Sequence, residues 1–262
     1  MRSLPFTLLD PLLAPAPDPT RAGWLGNRPY AHRGLHGAGR PENSLSAFEA
    51  AIGAGMGIEC DVQKSADGDA MVFHDWELDR LTDETGDVAT RSRAELQAIT
   101  LAGSDHDDRI PHLAELLALV DGRVPLLVEI KSRRDRRPAP LCRAVRHALE
   151  GCHGPVAVMS FDPRVPKWFI RHAPHVVRGL VITEENDRTV LGSLRRHAWL
   201  WYAKPDFIAY DIRDLPSAFA ASQRARGLPL LTWTVRSPEL RERAAKYADA
   251  PIAEGAGVAG AG

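Results

Sequence analysis

The sequence predicts an α/β protein with the TIM (β/α)8 barrel fold. Eight short apolar runs alternate with seven helix-like segments, and 262 residues accommodate one large barrel, so residues 1–262 read as a single domain. An irregular, Pro-rich arm, 1–28, precedes the first run. The strand-like runs then fall at 29–31, 57–62, 124–130, 156–159, 179–182, 207–210, 228–235 and 251–253. Helical patterns intervene at 44–54, 111–120, 140–149, 163–172, 189–201, 215–226 and 238–247. One stretch breaks the alternation. Asp67-Gly68 between two strand-like segments is a hairpin signal, and folding the chain back there sets residue 61 roughly opposite residue 74. This predicts a hairpin, 63–73, projecting after the second strand and returning His74-Asp75 to the barrel mouth. A short crossover insertion, 76–109, follows.

Composition removes several classes of function. With 33 basic and 34 acidic residues and a formal net charge of −1, no global field steers the chain toward nucleic acid or an anionic membrane. Cys60, Cys142 and Cys152 are odd in number and lack CxxC spacing, which fits a reducing compartment rather than a disulfide framework. Pro5, Asp10 and Pro11 interrupt the apolar stretch 4–13, so it reads neither as a secretory signal nor as a membrane span or stable anchor. A cytoplasmic location is expected; the oligomeric state is left open.

Charge inside the strands points to chemistry. Parallel barrel strands are buried on both faces and should be almost wholly apolar, yet Gly-Ile-Glu-Cys-Asp-Val and Leu-Leu-Val-Glu-Ile-Lys carry charge in their last residues. Alternation puts Glu59 and Asp61 on one face, and likewise Glu129 and Lys131. Unpaired, such charges cost several kcal/mol or more to bury, so each needs a partner. Three carboxylates, Glu59, Asp61 and Glu129, suit a hard divalent cation such as Mg2+ or Ca2+. A purely structural salt bridge with Lys131 or Arg33 is the alternative. His32-Arg33-Gly34 closes the first strand with an acid/base group, a phosphate-binding guanidinium and a turn-permitting glycine. In Pro41-Glu42-Asn43-Ser44, Asn43 or Ser44 caps the next helix, which is compatible with Glu42 and Asn43 also facing the rim.

Together, His32-Arg33-Gly34, Pro41-Glu42-Asn43-Ser44, Glu59-Cys60-Asp61-Val62, Asp67-Gly68, His74-Asp75, Ile110-Pro111 and Glu129-Ile130-Lys131 resemble, in order and spacing, the glycerophosphodiester phosphodiesterase family. The dense part of the resemblance runs from His32 to Lys131; Ser160-Phe161-Asp162 and Leu231-Thr232-Trp233-Thr234-Val235 match more thinly. The resemblance implies a TIM barrel that uses one divalent metal ion to hydrolyse glycerophosphodiesters, such as glycerophosphocholine or glycerophosphoethanolamine, to an alcohol and sn-glycerol 3-phosphate. Carried over by position, His32 and His74 would be the acid/base pair and Glu59, Asp61 and Glu129 the metal ligands. Arg33 and Lys131 would hold the phosphate, and Glu42, in the matching Pro-Glu-Asn block, would be a further contact at the metal site. Trp233 would face the substrate glycerol unless it is simply a core side chain. The last strand lacks the Thr-Asp ending of many members, which puts the lid of the pocket in question.

Two alternatives stand beside this reading: a related lipid phosphodiesterase, such as a lysophospholipase D or a cyclising phospholipase D-like enzyme, and a non-catalytic phosphate-binding barrel. The short crossover predicts an open mouth with modest head-group selectivity. The basic run 131–137 reads as a solvated loop or a guide for phosphate-bearing substrate. The remaining histidines, 36, 106, 112, 147, 153, 172, 175 and 197, share no metal-binding spacing and are expected in surface or loop positions.

Overall fold

The computed structural model describes residues 5–133, 135–185 and 187–258. Strands are β1 (Tyr30–Ala31), β2 (Gly57–Lys64), β3 (Ala70–Val72), β4 (Leu126–Ile130), β5 (Val156–Ser160), β6 (Val177–Ile182), β7 (Phe207–Asp211), β8 (Leu230–Val235) and β9 (Ala250–Ala253). Helices are α1 (Asp10–Leu13), α2 (Pro19–Ala22), α3 (Leu45–Gly53), α4 (Arg93–Ala98), α5 (Leu113–Val120), α6 (Ala139–Ala148), α7 (Arg164–His172), α8 (Val190–Ala203), α9 (Ala218–Ala225) and α10 (Pro238–Tyr247). With β3 set aside, eight strands alternate with helices along the chain as in a TIM (β/α)8 barrel, the fold class expected from the sequence. Each apolar run and each helical pattern found an element.

Residues 30–156 form one compact unit. There β2 runs parallel to β1, with Tyr30 opposite Gly57, and parallel to β4, with Asp61 opposite Glu129. Gly57 is required at the start of β2, because a Cβ there would lie 2.5 Å from the Tyr30 ring. The hairpin is present: β3 pairs antiparallel to β2, Val62 opposite Val72. Its register differs by one residue from expectation, Phe73 rather than His74 facing Asp61, with the Phe73 amide donating to the Asp61 carbonyl at 3.0 Å. The insertion, read as a short crossover, folds back on the hairpin. Met71, Phe73, Leu78, Val88, Leu96, Ile99, Leu101 and Ile110 form a small apolar core of their own. The α4 end of that insertion is tied to the hairpin turn by the Arg93 amide, which donates to Asp67 at 3.0 Å.

The second unit comprises residues 5–29 and 157–258 among those described. Strands β5 to β9 pair in parallel in chain order. The arm, expected to be irregular, contains α1 and α2 and two 3-10 turns, Pro5–Leu8 and Gly23–Gly26. The cause at α2 is local, with Asp18 capping it and Pro19 at its first position. At α1 the cause is distant. Asp10, fully buried, accepts from His197 Nδ1 at 2.9 Å and Trp201 Nε1 at 2.7 Å, both on α8, and from Gln223 Nε2 at 2.6 Å on α9. His197 is therefore a core residue rather than the surface residue expected. His112 is also buried, its Nδ1 accepting from the Ala114 amide at 3.2 Å to cap α5.

Burial pushes the Asp10 carboxyl up, but the bonds from His197, Gln223 and Trp201 outweigh it, and its pKa lies below the ordinary value of 3.8. A depressed folded-state value means that this stabilisation is present above about pH 4 and is lost as pH falls through the folded pKa. Asp10→Asn is accordingly expected to cost about 1.5–3 kcal/mol at pH 7 in urea titrations. The gap to the parent should narrow at pH 3; a pH-independent gap would count against the linkage.

Candidate active site

Six of the residues singled out by sequence meet around one buried cluster in the unit 30–156. Glu59, Asp61 and Glu129 are all buried, and their ligand-capable oxygens lie within 4.8 Å of one another. Alternation on β2 and the Asp61–Glu129 register between β2 and β4 bring them together. Lys131, just past β4, pairs with Asp61 Oδ1 at 2.8 Å and Glu129 Oε1 at 2.7 Å. Arg33 meets the cluster from the other side: its amide donates to Glu59 Oε2 at 3.0 Å, its Nε lies 3.2 Å from Asp61 Oδ2, and its NH1 donates to Glu42 Oε1 at 2.7 Å.

The turn after β1 is built for this. Arg33 and Gly34 have φ of 55° and 81°, and a Cβ on Gly34 would lie 2.9 Å from the Ala47 backbone, so the turn packs directly on α3. His32 is buried there, with Nε2 4.0 Å from Glu59 Oε2. Asn43, also at positive φ (57°), exchanges two bonds with Asp61: Nδ2 donates to Oδ2 at 3.1 Å, and the Asp61 amide donates to Oδ1 at 3.2 Å. Ser44 is the cap of α3, its Oγ accepting from the Ala47 amide, so Asn43 is released to hold Asp61.

His74 follows the hairpin. Its Nδ1 lies 2.6 Å from Asp75 Oδ1, and Gln63, on the face of β2 shared with Glu59 and Asp61, donates to the His74 carbonyl at 3.0 Å and also to the carbonyl of Asp75. Arg80 ties this half to the other, donating to Asp75 and, through NH1 and NH2 at 3.0 and 2.7 Å, to Glu42. Gln63, Asp75 and Arg80 were not singled out from sequence, and Asn43 was read only as a possible cap or rim residue. Asn43 and Asp75 stand inside motif blocks, whereas Arg80, in the insertion, carried no local signal. Trp233 lies on β8 in the other unit, half-buried, with its Nε1 donating to the Ala209 carbonyl at 3.1 Å and its ring edge-to-face with Phe161 at 5.3 Å.

Charge in the cluster is unevenly compensated. Burial alone would raise Asp61, yet Lys131, His74 and Arg33 hold it well below the usual carboxylate range. Lys131 is pushed upward because Asp61 and Glu129 outweigh its burial. Glu59 is different: burial and the neighbouring Asp61 and Glu129 push it well above its ordinary value, and Arg33 and Lys131 do not offset them. Burial holds His74 below the usual histidine value, despite Asp61.

The model of the glycerophosphoryl diester phosphodiesterase family matches residues 32–261. The chain belongs to this family. A glycerophosphodiester phosphodiesterase of Caldanaerobacter subterraneus subsp. tengcongensis is 30% identical over 223 residues, covering 82% of this chain and 88% of that one. The glycerophosphodiester phosphodiesterase of Bacillus altitudinis is 38% identical over 107 residues, a stretch covering 39% of this chain and 43% of that relative. The match thus spans less than half of that relative's length. In fold, the family member is similar to an Oleispira antarctica phosphodiesterase solved with its product sn-glycerol-3-phosphate, with TM-score 0.76 and 22% identity over 86% of this chain and 92% of that one. Among the described residues, no helix is long and apolar enough to cross a membrane.

Proposed function

We propose that this glycerophosphoryl diester phosphodiesterase family member hydrolyses glycerophosphodiesters to an alcohol and sn-glycerol 3-phosphate, with one divalent ion, Mg2+ or Ca2+, held by Glu59, Asp61 and Glu129. The observation that carries the reading is the convergence of Arg33 and Lys131 on the same buried carboxylates, with His32 and His74 close by. The donor set fits a hard cation: it offers carboxylate oxygens only, and the raised Glu59 marks negative charge that the two basic residues leave uncompensated. Such an ion, when bound, supplies charge neutralisation at phosphoryl oxygens.

The chain's own groups supply the rest. A phosphodiester is anionic with a poor alkoxide leaving group, so it needs cationic contacts on the phosphoryl oxygens and a proton for the departing oxygen. Arg33 and Lys131 make those contacts. One of His32 and His74 gives the proton, while the other takes one from the nucleophile, water or the neighbouring glycerol hydroxyl. The Asp75 contact at Nδ1 fixes His74 with Nε2 left to exchange the proton. Glu42, bound by Arg33 and Arg80, aims the Arg33 guanidinium.

Purified protein is expected to release glycerol 3-phosphate from glycerophosphocholine and glycerophosphoethanolamine with Mg2+ or Ca2+, and to lose that activity in EDTA. No release from folded protein with either ion would overturn the reading. One observation favours the lipid alternative: Leu8 and Leu12 in the arm are 81% and 77% exposed, an apolar surface suited to an interface. Release of choline from lysophosphatidylcholine micelles, without cleavage of glycerophosphocholine, would select that alternative.

A further inference from the structure

Beyond Lys131, within the unit 30–156, lies a second pocket whose chemistry differs from that of the carboxylate cluster. Lys131 and Gln63, both already part of the site, form its shared wall. Its other sides carry Lys64, Trp76, Arg133, Arg136 and Arg137, and Asp87 is the one acidic residue lining it among those described. The chain as a whole has a net charge of −1, yet the segment 131–137 holds five basic residues against one acidic. Arg136 and Arg137 are exposed, and among the described residues neither is paired with a carboxylate. Trp76 is 38% exposed, and the Arg133 guanidinium stands 4.5 Å from its ring centre.

We propose that this pocket receives the alcohol portion of the substrate and selects diesters whose alcohol carries a further anionic group, above all a phosphate monoester. The inference rests on the glycerophosphodiesterase reading above and deepens it. Lys131 makes the connection: a phosphodiester held at its ammonium has one ester arm directed to the glycerol side and the other free to enter the basic pocket. Guanidinium groups recognise a phosphate monoester by paired, charge-assisted hydrogen bonds. A quaternary ammonium head group ordinarily seeks an open aromatic face. Here Arg133 already stands over Trp76, and the surrounding positive charge repels a second cation. The modest head-group selectivity expected from the short crossover is replaced by selection on charge.

The test compares glycerophosphoinositol with glycerophosphoinositol 4-phosphate, which differ only in the head-group phosphate, with glycerophosphocholine as the cationic control. Parent protein should show a kcat/KM at least about tenfold higher for the 4-phosphate than for glycerophosphoinositol at low ionic strength, and the least for glycerophosphocholine. In the double variant Arg136→Gln/Arg137→Gln the 4-phosphate ratio should fall at least threefold, and raising salt to about 0.5 M should lower it in the parent too, since rim charges are screened. A parent ratio near one, or a ratio unmoved by both the double variant and salt, overturns the inference while leaving the glycerophosphodiesterase reading intact. Failure of folded protein to cleave any of the three overturns that reading and the inference with it.

Discussion

Replacing His74 by alanine is expected to lower kcat by about a hundredfold to ten-thousandfold, the range lost with a positioned proton-transfer group. Its circular dichroism and urea midpoint should stay close to those of the parent. The reasons are geometric. The His74 side chain is partly exposed and lies outside the apolar core of the insertion, while its backbone carbonyl, held by Gln63, survives the substitution. His32→Ala should match it in turnover but cost more stability, because His32 is buried against the Glu59 side. Steady-state kinetics on glycerophosphocholine decide the matter: near-parental kcat in either variant would remove that histidine from the proposed pair.

Asp61→Ala should produce the largest loss of stability among the site substitutions, about 3–5 kcal/mol, because it removes a buried carboxylate that pairs with two largely covered cations at once. Lys131 would keep only Glu129, Arg33 would keep Glu42, and the Asn43 amide would lose its acceptor. Urea titrations with and without millimolar Mg2+ or Ca2+ give a second reading. Binding of the proposed ion to the native state should raise the parent midpoint, and the variant should lack that shift. A variant midpoint equal to the parent's, with the cation effect retained, would show that Asp61 neither compensates the basic pair nor binds the ion.

Much of this was legible in the sequence because barrel strands are buried on both faces. Their apolar runs mark them, and for the same reason Glu59, Asp61 and Glu129 stood out as charges that needed a purpose. Of the two alternatives posed for those carboxylates, the ion pairs with Lys131 and Arg33 are present, and the same three side chains form a group that could hold a metal ion. The hairpin was visible in Asp67-Gly68, but its register was not: Ser65 to Asp69 form a five-residue connection, and Ser65 Oγ bonds with both Asp67 and Asp69, contacts that no turn dipeptide encodes. What escaped reading was long-range. Arg80 finds Glu42 across 38 residues, and Asp10 meets His197, Trp201 and Gln223 from 187 or more residues away. Pairings of that kind are set by tertiary packing and leave no periodicity to read.

The separate apolar core under the insertion divides the site into two halves that need not open together. Glu59, Asp61 and Glu129 belong to the strand ladder β2–β4, whereas His74, Asp75 and Arg80 ride on the segment that Met71, Phe73, Leu78 and their neighbours hold down. Native-state fluctuations release such small cooperative units at less free energy than the whole fold requires. On warming, the chain is therefore expected to release His74, Asp75 and Arg80 first and to keep Glu59, Asp61 and Glu129, with His32 beside them, until global melting; on the proposed reading that intermediate would retain the carboxylate set and lack one histidine of the pair.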